Sequence, residues 1–252
     1  MSAPYRWLAQ YYDEFFEPLR PPIDLARRHL LKRLLPKVKS ACDLACGSGT
    51  TALDLAKQGI EVYAVDLSPL MCRLARAKTT GLPVKVLRAD MRKFVLPEAV
   101  DLIISECDAI NHIPRKSDLR AVVRSAAKAL KPGGHFFFDI NNSLGFTTYW
   151  TGLHYAERPG IVMVMNNDHN RRADRAWSDI DWFVRNPDGK TWTRHQEHVD
   201  EVCWVEGEIR DTLTAAGFDD VQLWDASPYF KKTDPRVTPG CRSIYLARKA
   251  LT

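Results

Sequence analysis

Between residues 40 and 141 the spacing of apolar residues changes repeatedly, and turn-forming residues mark the changes. "SACDLAC" (40–46) is a short apolar run ending in a glycine turn, the pattern of a buried strand. "TTALDLAKQG" follows with helical spacing and a stop at Gly59. "EVYAVDLS" is the next strand, and "PLMCRLARAKTTG" the next helix, with Pro69 in its first turn. "PVKVLRAD", "VDLIISEC" and "HFFFDIN" are three more strands. "SDLRAVVRSAAKALKPGG" is a helix with Ser117 expected as N-cap and "KPGG" as stop. Such alternation predicts an α/β fold: a parallel sheet with helices on both faces. Ligands of these sheets bind beyond the carboxyl ends of the strands, at the switch point of strand order.

The flanks read differently. Residues 4–18 and 23–35 have helical spacing, separated by a break at Pro21-Pro22. After residue 142, "GIVMVMNNDHN", "AWSDIDWFVRN" and "TWTRHQEHVDEVCW" alternate apolar and polar residues, as half-exposed antiparallel strands do. "NPDGK" (186–190) is a hairpin signal between the last two. Residues 206–216 return to helical spacing and stop at Gly217, and "DVQLWDAS" and "RSIYLARK" are two final strands. The expected organisation is an N-terminal helical segment (1–39), a core (40–149 and 206–252) and an antiparallel insertion (150–205).

Composition excludes some classes. A chain of 252 residues with net charge +5 permits acidic partners without demanding them. Its densest basic stretch, "RRHLLKRLLPKVK", has apolar residues at helical spacing. Arg28, Lys32 and Lys39 therefore read as a solvated helix face, not a nucleic-acid arm. No apolar run approaches about 20 residues, so no membrane helix is expected, and the N-terminus lacks an apolar signal core. The six cysteines include no C-x-x-C pair and read as reduced, buried thiols. The expectation is a cytoplasmic monomer or homodimer with neither nucleic-acid nor membrane partner.

"DLACGSGT" (43–50) is a turn that brings backbone close to a ligand. A triphosphate is disfavoured because no G-K-[ST] follows. A dinucleotide stays possible, since Ala52 is tolerated at the third glycine position, and Asp66 suits the ribose of either cofactor. Asp43 discriminates. It shares the face of Ala45 and Gly47, where its charge would repel a pyrophosphate but suit a cationic ligand end. S-adenosylmethionine carries an ammonium and a sulfonium and no phosphate.

Together "DLACGSGTTALDLAKQG", "VYAVDLSPLMCRLAR", "VLRADMRKF", "DLIISECDAINHI" and "ALKPGGHFFFDIN" resemble the class I S-adenosylmethionine-dependent methyltransferases, in order and spacing. The resemblance implies a Rossmann-like doubly wound sheet, mostly parallel with an antiparallel last strand, and a β insertion that acts as a lid. Ala45 departs from the family's first glycine. By this resemblance Asp43 lies near the methionine ammonium, with Ala45, Gly47 and Gly49 forming the turn. Asp66 takes the ribose hydroxyls, Leu67 and Met71 sandwich the adenine, and Asp90 and the Met91 amide face its edge. Glu106 lies beside the transferred methyl group. His112 resembles a histidine beside the substrate amine in deoxysugar N-methyltransferases, which implies a base or orienting role. Tyr12, in a Tyr12-Asp13 pair, resembles a tyrosine that folds over the cofactor. Asn111, Arg194 and His198 are candidate substrate contacts, with Glu197 a further lid contact. No metal is expected, because His195 and His198 alternate to opposite faces of a strand. The implied activity is methyl transfer to a small molecule, with nitrogen favoured over oxygen. An RNA or protein methyltransferase and a non-catalytic binding protein are the alternatives.

Overall fold

The structure, a computed structural model, describes residues 6–251. Tyr5 and the start of the expected first helix lie outside the described residues. The chain opens with α1 (Arg6–Phe15) and α2 (Pro21–Leu30), then alternates β1 (Ser40–Leu44), α3 (Thr50–Lys57), β2 (Glu61–Asp66), α4 (Pro69–Lys78) and β3 (Val84–Arg88). β4 (Val100–Ser105), α5 (Lys116–Ala129), β5 (Leu130–Asn141) and α6 (Ser143–Thr148) follow. Next come β6 (Gly152–Arg158), β7 (Ile161–Asn170), β8 (Arg175–Arg185) and β9 (Trp192–Val202). The chain closes with α7 (Glu206–Ala215), β10 (Phe218–Asp225), α8 (Ser227–Phe230) and β11 (Arg242–Lys249).

The central sheet has the order β10-β11-β5-β4-β1-β2-β3. β11 runs antiparallel to both neighbours, and the remaining pairs are parallel. Leu44, Ala64, Leu102, Ile104 and Phe137 are buried because both faces are covered. The order reverses between β1 and β4, so the site opens beyond Leu44 and Ser105.

The insertion is a separate antiparallel sheet, β6-β7-β8-β9. Its inner face presents Ile161, Met163, Ile180 and Trp182 to Leu8, Tyr11 and Phe15 of α1 and to Met71 of α4. Phe15 meets the fully buried Trp182 edge-on, with ring centroids 5.4 Å apart. A ten-residue helix is marginal alone in water. Burial at about 1.5–3 kcal/mol per large apolar side chain holds it. Glu197 Oε2 also accepts the Leu8 N–H at 2.7 Å, satisfying a first-turn donor of α1.

Several expectations are corrected at element ends. Pro21 and Pro22 open α2 instead of only breaking the chain, since proline suits the first turn, where an N–H has no helical acceptor. α2 ends at Leu30 and not near 35. Ser117 is not the N-cap of α5. Extended Arg115 takes that position without a capping bond, and Asp118 supplies the first-turn acid. "KPGG" lies within β5, with Gly133 at φ 72°. β6 is additional: its edge position leaves Leu153 and Tyr155 exposed, so it lacks a buried alternation.

Gly49 has a packing reason for being glycine. Its φ is 86°, and a Cβ there would stand 2.9 Å from the Ala75 Cβ of α4. Gly59 has a similar φ of 82° but open space around it. Gly59→Ala should therefore cost about 1–2 kcal/mol from backbone strain alone. Gly49→Ala should cost about 1–3 kcal/mol more from overpacking. Urea unfolding midpoints of the two variants check this order.

Candidate active site

The turn after β1 and the end of β4 both hold strained backbone. Ala45, Cys107 and Asp108 have φ of 59°, 59° and 52°, three of the four non-glycine residues with positive φ among the described residues. Each costs about 1–2 kcal/mol in that conformation, and such strain gathers at binding sites. Ala45 thus adopts the left-handed conformation a glycine would hold freely. Gly47, at φ 53°, faces the Tyr12 ring, with 4.0 Å between a Cβ built there and Tyr12 Cε1.

Two carboxylates organise this turn. Asp66 accepts the Gly47 N–H at 2.9 Å through Oδ2 and the Ser68 N–H at 2.8 Å through Oδ1. These bonds orient its carboxylate at the end of β2, while burial raises its pKa. Asp43 is buried and accepts the Ala52 N–H of α3 at 2.9 Å. Burial, reinforced by the charge of Glu106, pushes Asp43 up to about 7.

Glu106 turns into a buried ion cluster that sequence reasoning missed. Arg27 Nη1 donates to Glu106 Oε2, as do Arg20 Nη2 at 3.4 Å and the Thr51 hydroxyl at 2.8 Å. Arg20 Nη1 reaches Cys107 Sγ at 3.4 Å, and Arg27 Nη2 reaches Asp24 and Asp54, each at 2.9 Å. Against the cost of burial, Cys107 and then Glu106 and Asp24 raise the Arg20 pKa, and Glu106 and Asp24 raise that of Arg27. Arg20 Nε and Glu106 Oε1 are buried without a hydrogen-bond partner among the described residues. A signal existed: Arg20, Ile23 and Arg27 share one helical face at spacings of three and four. A cleft lined by Tyr12, Arg20, Asp43, Gly47, Glu106 and Cys107 results. The Tyr12 hydroxyl is shielded from solvent, which holds its pKa well above the usual phenol value.

Beyond Cys107 lies a second polar centre. Arg242 Nη2 binds Asp108 Oδ1 at 2.6 Å and also Asp139, and Nη1 donates to Asn141 Oδ1 at 2.9 Å. His112 Nδ1 lies 3.2 Å from the Asp200 carbonyl. A carbonyl only accepts, so Nδ1 carries the proton of the neutral ring and Nε2 the lone pair. Burial lowers the His112 pKa. Asp108, His112 and Glu201 have ligand atoms within 4.8 Å of one another.

Other expected residues lie elsewhere or are otherwise engaged. Leu67 is 52% exposed at the rim, whereas Met71 packs beneath α1. Arg92 grips both oxygens of Asp90 and lowers its pKa, and Met91 packs on the main core. Asn111 is corrected: it is fully buried, donates to the carbonyls of Asn141 and Val202, and accepts the Asn141 N–H. It joins β5 to β9 and has no face for a substrate. Arg194 and His198 are corrected as well. Strand alternation puts them on the exposed outer face of the second sheet, where Arg194 pairs with Asp181 and His198 with Asp179 and Asp200. Glu197 and His195 face inward, and His195 stacks on Trp7 at 3.5 Å.

The family described as "Methyltransferase domain" matches residues 41–134. YqeM of Bacillus subtilis (strain 168), named as a methyltransferase, is 27% identical over 251 residues, spanning 98% of each chain. A ubiquinone biosynthesis O-methyltransferase of Aliivibrio fischeri (strain MJ11) is 32% identical over 138 residues, 53% of this chain and 57% of its own. The dTDP-3-amino-3,6-dideoxy-alpha-D-glucopyranose N,N-dimethyltransferase of Streptomyces fradiae is 26% identical over 204 residues, 79% of this chain and 76% of its own. With this match, the strand order and the turn between β1 and α3, the chain is an S-adenosylmethionine-dependent methyltransferase.

Proposed function

We propose that the chain methylates an amine nitrogen of a small molecule. The observation that carries this reading is the line from the Tyr12–Gly47 cleft past Cys107 and Asp108 to His112. β9 meets the acceptor end of that line, where the Asp200 carbonyl lies 3.2 Å from His112 Nδ1. A site flanked in this way favours a small acceptor over RNA or a protein surface, and residues 150–205 would serve as the lid. Of the N-terminal segment, residues 6–39 would cover the cofactor side. The Streptomyces fradiae relative supports nitrogen as acceptor. The Aliivibrio fischeri relative supports the alternative, a hydroxyl oxygen.

The donor set fits S-adenosylmethionine. Asp66 offers two oriented oxygens to a vicinal diol. Arg20, whose buried Nε has no hydrogen-bond partner among the described residues, would take the methionine carboxylate, and Asp43 the ammonium. Leu67 would cover one adenine face and Met71 support it from below. Asp90 would take the adenine amino group, with the Met91 amide beside it, by giving up part of the Arg92 contact that now occupies both of its oxygens. When bound, this cofactor supplies a sulfonium methyl group to a nucleophile. Tyr12 and Glu106 shape and dry the cleft, and orientation alone can contribute about 7–11 kcal/mol. His112, neutral near pH 7, would receive the acceptor's proton on Nε2.

Asp66→Ala should weaken S-adenosylmethionine binding at least about tenfold, or about 1.4 kcal/mol. Calorimetric titration reads it directly, and an unchanged Kd removes Asp66 from the site. Acceptors are identified by S-adenosylhomocysteine release across amines, phenols, carboxylates and thiols, and the proposed function fails if no amine is methylated. His112→Ala should lower kcat about 100-fold or more with cofactor Kd retained. Because burial depresses the His112 pKa, the protonated, inactive ring forms only in acid. The acidic limb of kcat/KM should therefore fall below the usual imidazole value of about 6.5. A limb above that value assigns the proton transfer to another group.

A further inference from the structure

Glu201 lies at the inner end of β9, 3% exposed, directly opposite Ala176 of β8. Its Oε2 is buried and has no hydrogen-bond partner among the described residues. The carboxyl of Glu201, the carboxylate of Asp108 and the ring of His112 converge within 4.8 Å. Three acids, Asp108, Asp139 and Glu201, share this region with one guanidinium, that of Arg242. Arg242 is committed to Asp108, Asp139, Asn141 and Tyr149. The arrangement holds two more acids than guanidinium groups. Burial and the nearby Asp108 charge accordingly drive the Glu201 pKa well up.

We propose that Glu201, with Asp108 and His112, forms the cation-binding end of the acceptor site and selects an amine, entering as its ammonium, over a hydroxyl. This inference rests on the N-methylation reading. The spacing admits an ammonium: acceptors about 2.8 Å from one tetrahedral nitrogen lie about 4.6 Å apart, inside the 4.8 Å that bounds these atoms. Arg242, 2.6 Å from Asp108, disfavours a second, doubly charged ion there.

The chemistry balances. The bound ammonium gives one proton to His112 Nε2. The freed nitrogen lone pair forms a bond to the methyl carbon, and the carbon–sulfur bonding pair returns to sulfur. The products are S-adenosylhomocysteine, a methylated ammonium that keeps the positive charge beside Glu201, and a proton on His112 that passes to solvent.

The test uses the full chain with paired acceptors of one carbon skeleton, amino sugars against their hydroxyl counterparts, as free sugars and nucleotide sugars. S-adenosylhomocysteine release is measured for wild type, Glu201→Gln and Glu201→Asp. Glu201→Gln should raise the KM for the amine at least tenfold and cut the amine-over-hydroxyl kcat/KM ratio at least tenfold, with cofactor Kd unchanged. Glu201→Asp, which keeps the carboxylate, should recover part of the ratio. An unchanged ratio in a folded Glu201→Gln protein overturns the role of Glu201 while N-methylation stands. Turnover of hydroxyl acceptors alone, or of no amine at all, removes both. A rise in Tm with MnCl2 or ZnCl2 alone, lost in Glu201→Gln, assigns the cluster to a metal and overturns the proposal.

Discussion

A carboxylate buried at the end of a central strand has to be neutralised, and this need shapes the amino-terminal side of the molecule. Glu106 sits beyond β4, out of water, and Arg20 and Arg27 come down from the α2 region to meet it. Removing one partner from such a cluster typically costs about 3–5 kcal/mol, although the intact cluster adds little net stability. Its effect is positional. It fixes α2 over the strand ends, and with it the segment that leads back to α1 and Tyr12. The same guanidinium groups lie close to Asp43, so one charge cluster forms the floor of the cleft and tunes the acid in its wall.

The two acidic centres differ in how they are balanced. Around Glu106 two arginines and a threonine hydroxyl answer the carboxylate. Around Asp108, Asp139 and Glu201 there is a single arginine, Arg242, brought in by β11. In the proposed N-methylation the unequal balance has a use, because the unmatched charge lies at the proposed acceptor end. The left-handed backbone at Cys107 and Asp108 turns the chain sharply between the centres. That turn directs Glu106 toward α2 and Asp108 toward β11.

Legibility followed the range of the interactions. Asp66 could be read from the sequence because it ends an apolar strand and its partners, the Gly47 and Ser68 amides, come from the two turns that strand order brings together. Ser68 was legible as the N-cap of α4 for the same local reason. Asn111 was misread because its neighbours in sequence, Asp108 and His112, lie at the proposed acceptor end while its own side chain turns inward to β5 and β9. Arg194 and His198 were misread because a strand's alternation shows that two faces exist, not which one is buried. Arg20 and Arg27 were passed over because a basic helix normally faces water.

The sequence alone determined the alternating α/β core, the glycine turn, and the acid that ends β2, since each depends on periodicity or on residues a few positions apart. It also carried the methyltransferase resemblance, whose motifs are local. Tertiary structure alone decided which charges are buried together. Arg27 meets Glu106 across 79 positions, Arg242 meets Asp108 across 134, and Leu8 is capped by Glu197 across 189. Ion pairing and desolvation depend on distance in space and on burial, and neither can be read from order along the chain.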